Sequence, residues 1–422
     1  MKMRMVMYAF FMVLTVSVFS GCRERQVRSD GRTRLQVARW DVTVTSLGSD
    51  LKEAFEKANP DIIVEIIDIP SADYTQKLQV MLNGGSDVDV FWIKDADTTR
   101  ALVNRGQLED LSDYIRRDGI NLAEFNGLAE MFQMDGKTVA LPVSTGYYIL
   151  YYNKDIFDRA GVPYPSNDMT WGEWEQLAGR LTSGSGNDRV FGGFFHTWQA
   201  CVQNWSVQNG RHTILDTDLS FFAPYYEMAL RMQRAGIVWD YGSLRAGGIH
   251  YSSAFLQGNI ATMPMGSWFF TTILERIARN DTSIRWGIAT LPHPPEVEAG
   301  WTVGSVTPIA VNRASRNKDA AWKFVNFVTS EEGAVIYAKT GELPARANDQ
   351  TIQAIASAPG MPEGSLEALR VKNIALDRPI ENFAAEVNQM LGEEHSLIML
   401  EEVSITAGLA NMGRRSREIQ GK

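Results

Sequence analysis

Apolar and polar positions along the chain alternate between two periods. LQVARW (35–40) is strand-like, and Leu47, Leu51, Ala54, Phe55 and Ala58 then recur at helical spacing until Asn59-Pro60 stops them. IIVEIIDI (62–69) reads as a second strand. Ser71 is placed to cap a helix carrying Tyr74, Leu78, Met81 and Leu82, which ends at Gly84-Gly85. DVDVFW (87–92) reads as a third strand, followed by a helix ending near Gly106. Apolar strands alternating with helices predict an α/β lobe on a mainly parallel sheet covered on both faces. Further on, Thr170-Trp171-Gly172-Glu173 has capping-box spacing and opens a helix with Trp174, Leu177, Ala178 and Leu181 on one face. Helices are expected over 218–235, 251–257 and 267–280, with strands at Ile260–Met263 and Trp286–Thr290 between them. VTPIAV (306–311) is a strand followed by two helices that separate at Ser330 and close at Gly341. Residues 349–422 read as helices without an obvious strand.

The N-terminus departs from this pattern. Lys2 and Arg4 precede an apolar run from Met5 to Phe19 that Ser20-Gly21-Cys22 closes. The run is too short to span a bilayer and reads as an export signal. The small pair before Cys22 resembles the lipobox of bacterial lipoproteins. Residues 1–22 are therefore expected to be a lipoprotein signal peptide ending at an acylated Cys22, with 23–34 a polar flexible tether. The alternative is an ordinary secretory signal with a chance cysteine. Of the 2 cysteines, lipidation of Cys22 leaves Cys201 alone, so no disulfide is expected in the mature chain, which must rely on its core. The formal charge of −9 argues against nucleic acid or anionic lipid as ligand.

Catalytic motifs are missing. The chain has no Gly-x-Ser-x-Gly, phosphate-binding Gly-rich loop, His-Glu-x-x-His or Cys-x-x-Cys, and its 5 histidines lie far apart without ligand-like spacing. No metal and no cofactor are expected. The positive signal is tryptophan placement. Trp40-Asp41 and Trp92 close strands, His196-Thr197-Trp198 follows a Gly-Phe-rich stretch, Ser267-Trp268 joins a strand to a helix, and Trp301 precedes another strand. In open α/β sheets ligands bind outside the carboxyl ends of strands, and an indole can cover the apolar face of a sugar while neighbouring polar groups bond its hydroxyls. Trp174, Trp286 and Trp322, inside helix or strand patterns, read as core. VSTGYYILYYNKDIF (143–157) raises a second possibility, since adjacent tyrosines can hold ferric ion. Tyr225-Tyr226 invites the same reading, although its helical spacing with Phe221 and Phe222 looks like core. A surface glycoside-active enzyme and a chemoreceptor partner are further alternatives.

Several stretches, above all LYYNKDIF (150–157) and the block from Val303 to Arg346, resemble the bacterial extracellular solute-binding proteins of the sugar-binding type, which deliver ligand to ABC importers. The resemblance runs from about residue 35 to 350. It implies a two-lobed, type II periplasmic-binding-protein-like fold with a ligand cleft between lobes and a helical C-terminal region. The N-lobe would be 35–143 plus 304–345 and the C-lobe 144–303 plus 346–422. It further implies an exported monomer held at the cell envelope by its lipid anchor, a carbohydrate ligand and permease partners. On strand-end and loop positions, Trp40, Asp41, Trp92 and Asp95 would contribute from the N-lobe. Tyr147, His196, Trp198, Ser267, Trp268 and Trp301 would come from the C-lobe or hinge, with Arg346 as a polar contact. Within the tyrosine segment, Tyr147 is expected to touch ligand, Tyr148 to point away, and Tyr151 and Tyr152 to be structural on opposite faces of a strand.

Overall fold

The computed structural model describes residues 31–43 and 45–422. The export signal, Cys22 and residues 23–30 of the tether lie outside the described residues. Among the described residues there are eleven strands: β1 (Thr33–Trp40), β2 (Ile62–Ile69), β3 (Val90–Trp92), β4 (Gln133–Met134), β5 (Lys137–Thr138), β6 (Leu141–Asn153), β7 (Thr262–Gly266), β8 (Trp286–Thr290), β9 (Trp301–Val311), β10 (Leu343–Pro344) and β11 (Asn373–Leu376). The first sheet runs β10-β6-β9-β3-β1-β2, with β1 parallel to β2 and β3, and β9 antiparallel to both β3 and β6.

Strand alternation fills both faces of that sheet. Leu35, Val37, Val90 and Trp92 enter one core with Trp322 and Phe324, whereas Ala38 and Phe91 enter another with Tyr74 and Leu78. A second sheet begins where β6 leaves the first. Leu141–Tyr147 pair with β9, and from Tyr148 onward the same strand pairs with β7 on one side and β8 on the other. Around this second sheet lie a core built on Trp174, Trp205 and Tyr226 and another built on Tyr151, Phe255 and Phe269. The result is two α/β lobes joined through β6 and β9, with a cleft between them.

Helix boundaries follow local chemistry in most places. Thr170 and Glu173 form a reciprocal capping box at the start of Trp171–Leu181, and Ser330 caps Glu331–Lys339 through Gly333 N. Ser71 instead opens a short 3-10 turn (Ser71–Asp73) ahead of the helix Tyr74–Asn83, and its amide donates to Asp41 Oδ1 at 2.9 Å. The C-terminal region is helical at Ala384–Met399 and Ile405–Gln420, but it also supplies β11. That strand pairs in parallel with Trp301–Gly304.

Candidate functional site

The cleft between the lobes has a volume of about 860 Å³. Its floor is the crossing of β6 and β9, where Ser144, Thr145, Ser305 and Thr307 present hydroxyls. The buried Thr145 Oγ1 has no hydrogen-bond partner in the protein. Aromatic walls stand over this polar floor. Trp40 rises from the end of β1, edge-on to Tyr74 at 5.1 Å between centroids. Opposite, Trp268 packs edge-on to Tyr148 at 5.3 Å, and the exposed Trp198 rests on His196 at 4.4 Å.

Trp268 owes its position to two glycines. A Cβ on Gly266 would come to 2.1 Å from the indole Cη2, and one on Gly146 to 2.7 Å from Cε3. The ring therefore lies directly against backbone, a closeness no side chain at either position would allow. Asp41, beside Trp40, adopts the left-handed region at φ 51 and accepts from Ser71 N, which ends β1 in a sharp turn at the cleft mouth.

Six of the residues expected from the sequence border the cleft: Trp40, Asp41, Asp95, Trp198, Ser267 and Trp268. The other five lie elsewhere. Trp92 faces the core beneath β3, where its Nε1 donates to Tyr337 Oη at 2.9 Å; the strand ends while helices still cover that face. Tyr147 is buried, and its hydroxyl donates to the Leu369 carbonyl at 2.7 Å. Alternation runs through β6 without a break in phase: Leu141 and Val143 enter a core, and Ser144, Gly146 and Tyr148 line the cleft. Tyr148 consequently borders the cleft while Tyr147, Ile149 and Tyr151 enter the core behind it, and Tyr152 packs on the opposite side. His196 lies under Trp198 as its support, and burial drives its imidazole down to about 4, so it is neutral. Trp301 sits at the outer end of β9 near Gly210, and its carbonyl accepts from Gln208. Arg346 is occupied by Glu124 and by the face of Phe125 at 5.1 Å. The adjacent tyrosines do not converge on one point: Tyr226 is buried on Gln203 and His395, and Tyr225 packs near Trp171. Among the described residues no group of three or more His, Cys, Asp or Glu side chains could hold a metal.

Sequence reasoning missed a polar wall. Arg378, just after β11, is 8% exposed and bonds Asn388 at 2.6 Å and Asn204 at 2.9 Å, while its Nη2 has no partner. Asn388 in turn donates to Asp97 Oδ2 at 3.3 Å, linking the helix Ala384–Met399 to the first lobe. Burial and the neighbouring Asp95 push the Asp97 carboxyl up to about 7, against the pull of Arg378. Since the folded value lies above the ordinary 3.8, the folded protein holds this proton more tightly than the unfolded chain. The destabilisation is absent below about pH 4, accrues between about 4 and 7, and is complete above that. Asp97→Asn is expected to remove it, making the fall of stability across that window shallower by up to about 1.4 kcal/mol per pH unit. Chemical denaturation at pH 4.5, 6 and 8 checks this; parallel curves for the two proteins would refute it.

Strand topology and cleft together define a two-lobed binding protein with its site between the lobes. The chain belongs to the family of bacterial extracellular solute-binding proteins, whose model matches residues 43–335. It is similar to the solved structure of a sugar transporter from Rhizobium etli in an open conformation, at 38% identity over 91% of this chain and 99% of that one, with a TM-score of 0.79. It also resembles an ABC substrate-binding protein from Listeria monocytogenes in complex with cycloalternan, at 25% identity over 92% and 99% of the two chains and a TM-score of 0.79. The galactooligosaccharide-binding protein of Bacillus subtilis is 24% identical over 388 residues, covering 86% of this chain and 87% of that protein. This is a type II periplasmic-binding-protein fold, and the protein is a substrate-binding protein rather than an enzyme.

Proposed function

We propose that the protein captures a carbohydrate in the interlobe cleft and hands it to the permease of an ABC importer. The observation that carries this reading is the pairing of indoles with hydroxyls: Trp40 on one wall, Trp198 and Trp268 on the other, and a floor of Ser144, Thr145, Ser305 and Thr307. Sugars are amphipathic in the same sense, with apolar ring faces and polar edges. The buried, unpaired Thr145 hydroxyl would discriminate against ligands without a matching group. The names of the Listeria, Rhizobium and Bacillus relatives support the same ligand class.

On this reading the lobes are 35–143 plus 304–345 and 144–303 plus 346–422, and closure is driven by ligand contacts made to both at once. Acylation at Cys22 would hold the protein at the outer face of a membrane as a monomer. Mass spectrometry of the mature N-terminus tests that part on its own.

The function is tested by thermal melting against a panel of neutral and acidic mono- and oligosaccharides. A bound sugar at a hundred times its Kd is expected to stabilise the fold by about 2.7 kcal/mol, visible as a concentration-dependent rise in Tm. A flat response to the whole panel would remove the carbohydrate reading.

A further inference from the structure

We infer that the carbohydrate carries a carboxylate, as a uronic acid does, and that this group docks between Arg39 and the start of the first helix, Leu47–Ala58; the inference rests on the carbohydrate reading above.

Arg39 lines the cleft yet is only 4% exposed, and both its Nε and its Nη1 lack a hydrogen-bond partner. A buried guanidinium with two idle donors is costly unless something fills them. The indoles of Trp40 and Trp92, at 5.9 and 5.4 Å from its Cζ, hold it in place. Its direction is informative. A Cβ on Gly48 would lie 3.3 Å from Arg39 Nη1, so the guanidinium edge approaches the first turn of that helix across a glycine.

That helix end is positive and has no side-chain cap from its N-cap residue Ser46. Two positive features facing each other in this way suit an anion placed between them. The protein's own carboxylates occupy the region only partly. Glu342 Oε1 stands 3.6 Å from Arg39 Nη2, beyond hydrogen-bond length, and burial raises its carboxyl above the ordinary range. Glu275, across the cleft, meets the Ser46 backbone amide, and burial raises it too. Asp50 accepts from Ser46 Oγ at 2.9 Å. Arg276 and Arg279 border the same end of the cleft from the second lobe.

A neutral sugar could offer hydroxyls to Arg39 one at a time. A carboxylate matches the fork of N–H donors with two coplanar oxygens and brings the missing charge. Its source would be a polysaccharide rich in uronic acids, degraded to short oligomers.

The test uses calorimetry with galacturonate, glucuronate, mannuronate and guluronate oligomers, each beside its methyl ester and its carboxyl-reduced form. An acid is expected to bind about tenfold or more tighter than its own ester, as a charge-assisted bond implies. That ratio should collapse towards one in Arg39→Gln and rise in Glu342→Gln, which keeps the guanidinium and removes its competitor. Esters or reduced forms binding as tightly as the acids overturn the inference while leaving a carbohydrate function standing. Survival of the ratio in Arg39→Gln, or no rise in Glu342→Gln, also overturns it. Where Arg39→Gln fails to fold, Glu342→Gln alone decides. Failure of every acidic and neutral sugar to bind removes both readings together.

Discussion

Trp268→Ala is expected to weaken ligand binding by roughly 30- to 1000-fold, the equivalent of the 2 to 4 kcal/mol carried by a central aromatic contact. The indole is half-buried with one side against Gly146, Gly266 and Tyr148, which leaves its other side to the cleft. Because its rear packing is rigid, the ring needs no ordering when ligand arrives, and little of the contact energy is spent on immobilising it. The substitution removes that prepared surface. Its effect on stability should be smaller, since the ring is not enclosed. Calorimetry with whichever sugar passes the melting screen checks the expectation, and an unchanged Kd would show that the ligand sits elsewhere.

Gly266→Ala is expected to damage binding to a similar order while keeping every tryptophan. The added methyl would stand within 2.2 Å of three indole atoms, on the side where Gly146 and Tyr148 also meet the ring. The ring must swing into the space the ligand needs. Overpacking of this kind costs about 1–3 kcal/mol of stability. The double variant Gly266→Ala with Trp268→Ala supplies the decisive comparison. Removing the ring removes the clash, so the double variant should be more stable than the sum of the single changes implies. Strictly additive melting data would mean that the glycine and the indole are not in contact.

Much of the fold is legible in the sequence because its signals are local and repeated. Strand alternation in IIVEIIDI, the helical spacing that Asn59-Pro60 ends, and the Thr170-Glu173 box each restrict a segment independently of its surroundings. β11 is not legible, since Asn373–Leu376 has two exposed and two partly exposed positions and therefore no apolar alternation. The site divides along the same line. Trp40 and Trp268 end strands at the cleft, where strand-end reasoning places them. Trp92 also ends a strand, but whether an end is open or roofed depends on helices more than two hundred residues away, among them the one carrying Tyr337. The exchange of Tyr147 for Tyr148 is a matter of strand phase, which two adjacent tyrosines do not announce. Arg39 did offer a signal: a charge at the penultimate position of a strand, directly beside a tryptophan.

The placement of β9 between β3 and β6 has a consequence for how the molecule is made. The first sheet cannot be completed when its own segment leaves the ribosome, because β9 is encoded after the whole of the second lobe's first segment. Synthesis from Trp92 to Trp301 takes on the order of 10 to 40 seconds at typical elongation rates. Throughout that interval β3 has an open edge and the core beneath it lacks Trp322 and Phe324. Folding of either lobe as its first segment emerges is thus blocked by topology: the first waits for β9, and the core of the second waits for Val387, Leu391 and Met412 near the end of the chain.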